Sequence, residues 1–390
     1  MRSWLTYIFL SMVACATLLT SCNNVLDEEG IAECDDRTTV RLTISFGGDG
    51  GPMSRDVPNT STPEDDDLDT STEEQALMND IYALIVKEDG TIKELVDLKL
   101  LSGPDLNDGF YTRTFEGKFL NTNEKIRVEV LANLDGNYIN IGNNNTSIRD
   151  FISSYVGNKI TSLYNVLVYN YDGSTPWSVI GDSPRGIPMW GKSEHIIPSS
   201  TQSPLELTCY LYRALAKVQI WVNMRNGIDG FLINSITVNN IHTKGYCVSQ
   251  ATTFDEDGPN YDLDGNGTYD VLPYALPSIP DNPGTQNVTY GSVDSPLNVT
   301  DAYSDMIYLP EKINKGVNNP VIITVNYTYN NTLYEGIIRF TEGGVEDQSK
   351  AFDIIRNHSY IFNINKVEEQ TGKLYYYVDW EEEKVEIEFN

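Results

Sequence analysis

Hydrophobic and polar residues alternate in several segments of the chain, and this period of two predicts β-strands. The first segment is Thr39 to Phe46, in which every second side chain is apolar. The face it would bury carries Val40, Leu42, Ile44 and Phe46. Further strands are predicted at Ile81–Val86, around Val128 and Val130, at Val218–Val222, at Ile323–Tyr329 and at Tyr360–Ile364.

Two local signals add a turn and a helix to these strands. Asn330-Asn331 separates two strand-like runs, which is typical of a tight β-hairpin. Ser147, with Asp150 three residues later, resembles a capping box and is followed by apolar residues at helical spacing.

The elements together predict a mainly β protein with one or a few short helices. No short repeat of fixed period occurs, which argues against a solenoid or a propeller. The length of 390 residues favours about two domains. We therefore predict two mostly antiparallel β-sandwich domains in series, at residues 56–204 and 205–390.

The N-terminus has the features of an export signal. Arg2 precedes an apolar run, Trp4–Leu19, that is short for a membrane span. The run ends in Leu19-Thr20-Ser21-Cys22, which resembles the lipobox of bacterial lipoproteins. Residues 1–21 are therefore predicted to be a signal peptide and Cys22 a lipidation site, with an ordinary secretory signal as the alternative. Several acyl chains would anchor the exported chain to a membrane.

Residues 22–55 are predicted to form a lipidated pro-segment that contains the first strand. A Gly-rich run and an acidic stretch separate this strand from the next strand-like pattern, and they hold Arg55. An arginine in an exposed, Gly-rich segment is an accessible protease target. Arg37 and Arg41 also lie nearby, but cutting at either would leave most of the strand attached.

The C-terminus repeats the pattern of the first strand. Val385, Ile387 and Phe389 alternate with glutamates. Burying three such side chains is worth roughly 1.5 to 3 kcal/mol each. This segment can complete its own sheet as an edge strand, or it can be donated to the sheet of a neighbouring molecule.

Charge excludes nucleic acid as a partner. The chain has 27 Lys and Arg against 56 Asp and Glu, so the formal net charge is −29. Binding to DNA or RNA depends on clustered basic side chains, and this surface would repel a phosphate backbone.

Residues that carry catalytic chemistry are scarce. The chain has three histidines and no Gly-rich phosphate loop, so it is predicted not to be an enzyme and to bind no cofactor. No cysteine stands in a CxxC arrangement. Cys209 and Cys247 can form a disulfide in an oxidising compartment or remain buried free thiols.

One segment partly matches a calcium-binding loop. Oxygen-bearing side chains recur at the first, third, fifth and ninth positions, with Gly265 and Gly267 between them, but Pro273 replaces the expected bidentate glutamate. We favour a Gly- and Asp-rich surface turn, and no metal site, over calcium binding. The ligands of the alternative would be Asp262, Asp264, Asn266 and Asp270.

The chain resembles the fimbrillins of the FimA and Mfa1 superfamily, the lipoprotein precursors that build type V pili. The resemblance rests on the lipobox at Cys22, on the first strand followed by Arg55, and on short motifs in the same order. These motifs are Ile81–Gly90, Val128–Leu134, Gly186–Met189, Arg213–Val218, Ile307–Glu311, Arg356–Tyr360 and Val378–Trp380.

The resemblance implies two transthyretin-like β-sandwich domains and assembly by strand exchange. The first strand would lie in a groove of the N-terminal domain until an Arg-directed protease at the outer membrane cuts between Arg55 and Asp56. A strand of another copy, or of a related pilin, would then fill the groove, giving a cell-surface fimbrium that supports adhesion. The removable strand would contribute Val40, Leu42, Ile44 and Phe46, and the donor strand Val385, Ile387 and Phe389.

Other functions remain open at this point. An anchor or tip subunit would share the lipoprotein start, and an anchor would keep its first strand and its lipid. The chain could also be a surface glycan-binding lipoprotein that stacks sugars on Trp177 and Trp190. A secreted hydrolase is the least favoured alternative.

Overall fold

The computed structural model describes part of the chain, which includes the first strand and most of both predicted domains. The described residues are 37–46, 80–107, 110–120, 124–134, 139, 146–171, 177, 185–193, 196–197, 204–222, 230–250, 277–292, 296–297, 302–341, 347–368 and 374–379. The predicted positions outside them are Cys22, Arg55, Asp56, Asp262, Asp264, Asn266, Asp270, Val385, Ile387 and Phe389.

The N-terminal half of the described chain forms two sheets. Sheet 1 has the strand order β4-β5-β1-β9, and sheet 2 has the order β10-β8-β6-β2-β3. The strands of this half are β1 Arg37–Phe46, β2 Ile81–Lys87, β3 Ile92–Val96, β4 Lys99–Asn107, β5 Phe110–Leu120, β6 Ile126–Ala132, β7 Val168–Asn170, β8 Met189–Lys192, β9 Leu205–Tyr210 and β10 Tyr212–Arg213.

Sheets 1 and 2 pack closely where β5 meets β3. Gly117 of β5 leaves so little space that a Cβ atom there would lie 3.0 Å from Cγ1 of Val96. A glycine at this position lets the two strands approach without displacing Val96. The apolar faces of both sheets therefore meet in one core.

The C-terminal half forms a second pair of sheets. Sheet 3 has the order β15-β11-β18-β19, and sheet 4 has the order β14-β12-β16-β17. The hydroxyl of Tyr376 accepts a hydrogen bond of 2.7 Å from the backbone N–H of Arg339, which joins β19 to β17 across the two sheets. The strands are β11 Ala216–Val222, β12 Phe231–His242, β13 Lys244–Tyr246, β14 Thr285–Tyr290, β15 Ala302–Leu309, β16 Ile322–Tyr329, β17 Thr332–Arg339, β18 Ser359–Val367 and β19 Leu374–Asp379.

Helices are few among the described residues, and the mainly β class predicted from the sequence is confirmed. They are α1 Ile148–Ser153, α2 Ile160–Tyr164 and a 3-10 turn at Gln348–Lys350. The predicted cap of α1 is present, because Oγ of Ser147 accepts a hydrogen bond of 3.0 Å from the N–H of Asp150.

The predicted hairpin is confirmed as well. Strands β16 and β17 pair in antiparallel register on either side of Asn330 and Asn331. Their φ angles are 48° and 64°, the left-handed conformation that a two-residue type I′ turn requires and that asparagine tolerates.

The change from the first sheet pair to the second comes later than the sequence placed the domain boundary. Strands β9 and β10 follow residue 204, but they belong to sheets 1 and 2. β9 pairs in parallel with β1, a contact between distant parts of the chain that local pattern does not reveal. The first strand of the second pair is β11, which begins at Ala216.

A small two-stranded sheet joins the two halves. In it, β7 of the N-terminal half pairs with β13 of the C-terminal half. The N–H of Cys247 continues this contact by donating to the carbonyl of Leu167 at 2.9 Å. The hydroxyl of Tyr171 also donates to the carbonyl of Tyr308 at 3.0 Å. The halves are therefore connected by backbone pairing and not only by the linking peptide.

A buried ion pair stabilises this junction. Nη2 of Arg356 lies 2.7 Å from Oε2 of Glu311, and both side chains are almost fully buried. The guanidinium also donates to the carbonyls of Tyr246, at 2.9 Å, and Cys247, at 3.2 Å. Burial opposes the charge on Arg356, but the adjacent Glu311 outweighs it, so the pKa of Arg356 is raised. The cation thus ties β13 to the body of the C-terminal half.

We expect Arg356→Met to lower the free energy of unfolding by about 3–5 kcal/mol, because it leaves the carboxylate of Glu311 buried without its partner. Urea unfolding followed by circular dichroism measures this. The control is Lys125→Ala, which breaks an exposed pair of 3.2 Å with Glu88 and should cost about 1 kcal/mol or less. Equal effects of the two changes would contradict a stabilising role for the buried pair.

Candidate functional site

Strand β1 lies in the interior of sheet 1, although it is the first described segment of the chain. It pairs in antiparallel fashion with β5 and in parallel with β9. Leu42, for example, stands between Phe115 on one side and Leu207 on the other. Within the described residues β9 has no other partner in this sheet. β1 therefore holds β9 in place.

One face of β1 is fully buried in the core, as its alternation predicts. Val40 and Leu42 have no exposed surface, and Ile44 is 1% exposed. Burial of these three side chains is worth roughly 1.5 to 3 kcal/mol each. Thr38 extends the buried face toward the start of the strand, and Phe46 is the last residue of β1.

The opposite face of β1 belongs to a row of alternating charges. Arg41 stands opposite Glu116 of β5 and Glu206 of β9, and Lys99 of β4 follows Glu116 at the edge. Nη1 of Arg41 lies 3.1 Å from Oε1 of Glu206. Opposite charges placed across neighbouring strands stabilise their register. The row across sheet 1 is thus basic, acidic, basic and acidic.

A second arginine ties the start of β1 to sheet 2. Nη1 of Arg37 lies 2.8 Å from Oε1 of Glu94 in β3 and donates to the carbonyl of Lys118 in β5. Oε2 of Glu94 in turn accepts from the N–H of Leu120 at 3.2 Å. Arg37 therefore joins both sheets at the entrance of the strand.

Loss of β1 would open a groove with two kinds of exposed surface. Strands β5 and β9 would each present a row of unpaired backbone N–H and C=O groups, which is costly when they are shielded from water. The floor would be the apolar side chains that now contact Val40, Leu42 and Ile44. Such a groove fits an extended segment with the same alternation.

Cys209 lies at the floor of this groove. It pairs with Ile44 in the register of β1 and β9 and is fully buried. Burial, with Glu129 nearby, raises the pKa of its thiol far above the usual range. Burial raises the pKa of Cys247, at the junction, to about 12. Both are free thiols, so of the two alternatives the structure has the unpaired cysteines.

The two tryptophans considered for sugar stacking are buried. Trp177 is 1% exposed and Trp190 is 4% exposed. Nε1 of Trp190 donates to Oε2 of Glu129 and to the hydroxyl of Tyr164, both at 3.1 Å. Both rings are buried, so the structure does not support the alternative in which these residues stack on sugars.

Buried charges on β6 were not predicted from the sequence. Arg127 and Glu129 alternate with apolar residues, but both are buried. Nη2 of Arg127 lies 2.8 Å from Oε1 of Glu129. Tyr164, the last residue of α2, accepts a hydrogen bond from the same indole as Glu129. The alternation along β6 does not by itself show this burial.

No metal site or membrane-spanning helix occurs in the described part of the chain. There, no three His, Cys, Asp or Glu side chains are grouped so that they could bind a metal ion. Likewise, none of the helices given above has the length and apolar character needed to cross a bilayer.

His242 and His358 both bond to backbone carbonyls. Nδ1 of His242 lies 2.8 Å from the carbonyl oxygen of Glu311, and Nδ1 of His358 lies 2.8 Å from that of Arg356. Burial lowers the pKa of both rings. These contacts hold the C-terminal half together near the junction.

Comparisons with known proteins yield similar structures but no similar sequences. No family model matches the chain, and no curated protein matches it in sequence. The tip fimbrial protein Mfa3 from Porphyromonas gingivalis, with a C-terminal truncation, gives a TM-score of 0.46 at 13% identity, over 88% of this chain and 98% of that one. A fimbrial assembly protein from Parabacteroides distasonis gives 0.47 at 12% identity, over 88% and 99%.

The buried face of β1 should dominate the stability of the N-terminal half. We expect Leu42→Ala in the full chain to lower its free energy of unfolding by about 2–5 kcal/mol, through lost burial and a cavity. The control Thr43→Ala, on the half-buried opposite face, should cost about 1 kcal/mol or less. Urea unfolding of both variants checks this, and a small effect of Leu42→Ala would mean that β1 contributes little to the sheet.

Proposed function

We propose that this protein is a structural subunit of a cell-surface fimbrium that supports adhesion. It is exported as an outer-membrane lipoprotein through Cys22, cleaved after Arg55 by an Arg-directed protease, and polymerised by strand exchange with other copies or related pilin subunits. Its role is structural and not enzymatic. One observation supports this most directly: β1 fills the interior of sheet 1, and the chain joins it to β2 through residues 47–79, where a cut would separate the strand from the following chain.

The tether explains why cleavage would start assembly. While β1 is covalently attached, its effective concentration at its own groove is on the order of millimolar. A donor strand of similar contact energy, present at lower concentration, cannot displace it. Cleavage turns β1 into a separate peptide that dilutes once released. The same exchange then becomes favourable without any stronger contact.

The structure of β1 favours Arg55 over the two other nearby arginines as the cleavage site. Arg37 and Arg41 lie inside a strand that is paired on both edges. A protease binds its substrate as an accessible, extended segment, so a strand held in the middle of a sheet resists cleavage. Arg55 follows β1 in sequence, and a cut there leaves the whole strand on the released side.

The donor is proposed to be the C-terminal segment that contains Val385, Ile387 and Phe389. It follows β19 in the chain, and β19 has β18 as its only neighbour in sheet 3 among the described residues. A head-to-tail contact from this segment to the N-terminal groove of a neighbour is heterologous, so it extends into a fibre and does not close into a dimer.

Limited trypsin treatment of the full precursor tests the proposal. We expect cleavage after Arg55, release of the strand, and a ladder of oligomers on SDS gels. The matched control is the chain that lacks residues 385–390, which should be cleaved equally but remain monomeric. Equal ladders from both chains, or a cleaved full chain that stays monomeric, would overturn strand exchange.

The reactivity of the Cys209 thiol should show whether removal of β1 exposes the groove. In a chain with Cys22→Ser and Cys34→Ser and without residues 385–390, a thiol reagent should label neither Cys209 nor Cys247 before cleavage. After cleavage and removal of the freed strand by gel filtration in mild urea, Cys209 should react, because it loses its neighbour Ile44. Cys247, at the junction, is the internal control. Labelling of both thiols would indicate general unfolding and count against a groove.

The same experiments separate a stalk subunit from its relatives. An anchor would keep β1 after exposure to the protease, and a tip would accept a strand without donating one. A stalk subunit must both accept and donate a strand. Mixing a cleaved chain with the chain that lacks residues 385–390 therefore distinguishes a stalk subunit from an anchor and from a tip.

A further inference from the structure

We infer that the donor strand occupies the groove in one register, in which Lys384 of the incoming copy replaces Arg41 between Glu116 and Glu206. This inference rests on the proposed strand exchange and names the contact that fixes its alignment. The occupant is the C-terminal segment of a second copy of this chain.

The two segments match position by position in this register. Arg41-Leu42-Thr43-Ile44-Ser45-Phe46 and Lys384-Val385-Glu386-Ile387-Glu388-Phe389 each begin with a cation and then place an apolar residue at every second position. The apolar positions pair Leu42 with Val385, Ile44 with Ile387 and Phe46 with Phe389.

The position of Arg41 is the most charge-selective place along the groove. It is flanked by one acidic residue on each neighbouring strand, Glu116 on β5 and Glu206 on β9. Without β1 these two carboxylates would face each other across an empty strand position. A cation stabilises this position, whereas an anion is repelled from both sides.

The remaining outward positions accept the glutamates of the donor. In the inferred register Glu386 takes the place of Thr43, between Thr114 and Thr208. Glu388 takes the place of Ser45, between Thr112 and Tyr210. Both neighbours at each position are uncharged, so neither glutamate meets a like charge directly opposite.

Shifting the donor by two residues toward the start of β1 would place like charges opposite each other. Glu386 would then lie between Glu116 and Glu206, and Lys384 would stand opposite Lys118. A further shift of two residues would place Glu388 between the same two carboxylates. The registers that compete are those in which the donor is shifted by an even number of residues, because an odd shift turns its apolar face outward.

The inferred register also fixes where pairing begins. Glu383 would fall at the position of Val40, whose side chain has no exposed surface. A carboxylate is costly there, so the paired segment starts at Lys384. In this register no apolar donor side chain fills the space of Val40, but Lys384 keeps its contact with the two glutamates. An alignment that maximised apolar burial would fill that space instead.

Engineered cross-links read the register directly. Three full-length precursors carry Glu386→Cys together with one cysteine on β5: Thr114→Cys, Glu116→Cys or Lys118→Cys. Each β5 position stands opposite a different residue of β1, namely Thr43, Arg41 and Thr39. After trypsin cleavage and mild oxidation, the samples are boiled in SDS to separate subunits that are held by strand exchange alone. We expect a ladder that dithiothreitol dissolves with the Thr114→Cys chain and at least a tenfold weaker one with the other two.

The outcomes separate the register from strand exchange itself. Ladders with Glu116→Cys or Lys118→Cys instead would overturn the register and leave strand exchange intact. Monomers from all three chains, and from the unmodified cleaved chain without boiling, would overturn the proposed function and this inference with it. Uncleaved precursors should give no ladder, because β1 still fills the groove.

A charge exchange tests the contact at the position of Arg41. We expect Lys384→Glu to slow assembly of the cleaved chain about tenfold, and Lys384→Glu with Glu206→Lys to recover most of that loss. Lys350→Glu changes the net charge equally at an exposed site of the C-terminal half and should leave the rate within about twofold. Equal slowing by Lys350→Glu would overturn the contact. A double variant that assembles no faster than Lys384→Glu alone would also overturn it, provided that the double variant with the added cysteines still forms the Thr114→Cys cross-link.

Discussion

The N-terminal half of this protein depends on the pairing of one strand on both of its edges. β1 supplies hydrogen-bond partners to β5 and β9 and places three apolar side chains in the core. Loss of β1 would leave β9 without a neighbour in this sheet among the described residues, and β5 with β4 alone. If a cut within residues 47–79 released β1, the groove would need a replacement strand, and the proposed function is built on this dependence.

The sequence predicts the elements better than their partners. Alternation locates β1, β2, β6 and the β16–β17 hairpin, and the Ser147 cap locates α1, because these signals are local. It does not reveal that β9 pairs with β1, nor that β7 and β13 join the two halves, since such contacts link residues far apart in the chain. The membership of β9 and β10 in sheets 1 and 2 escapes the local pattern for the same reason.

The buried charges show a second reason for missing parts of the structure. Arg127 and Glu129 follow the alternation of a half-exposed strand, but both are buried and paired with each other. Arg356 and Glu311 belong to short motifs that resemble fimbrillins, but their pairing across the junction appears only in three dimensions. For the candidate site, the buried face of β1 was predictable, whereas the charge row through Arg41 required the register of four strands.

The two halves contain the same arrangement of a strand between an antiparallel and a parallel neighbour, but they connect this strand to the chain differently. In sheet 3, β11 lies antiparallel to β15 on one side and parallel to β18 on the other, just as β1 lies between β5 and β9. β11, however, continues directly from the preceding strand through Ala214 and Leu215, so a cut near Arg55 leaves it in place. Under the proposed exchange, β1 would be replaceable and β11 permanent. Each subunit would then have one groove and one donor segment, so a polymer would grow as an unbranched filament whose two ends are chemically different.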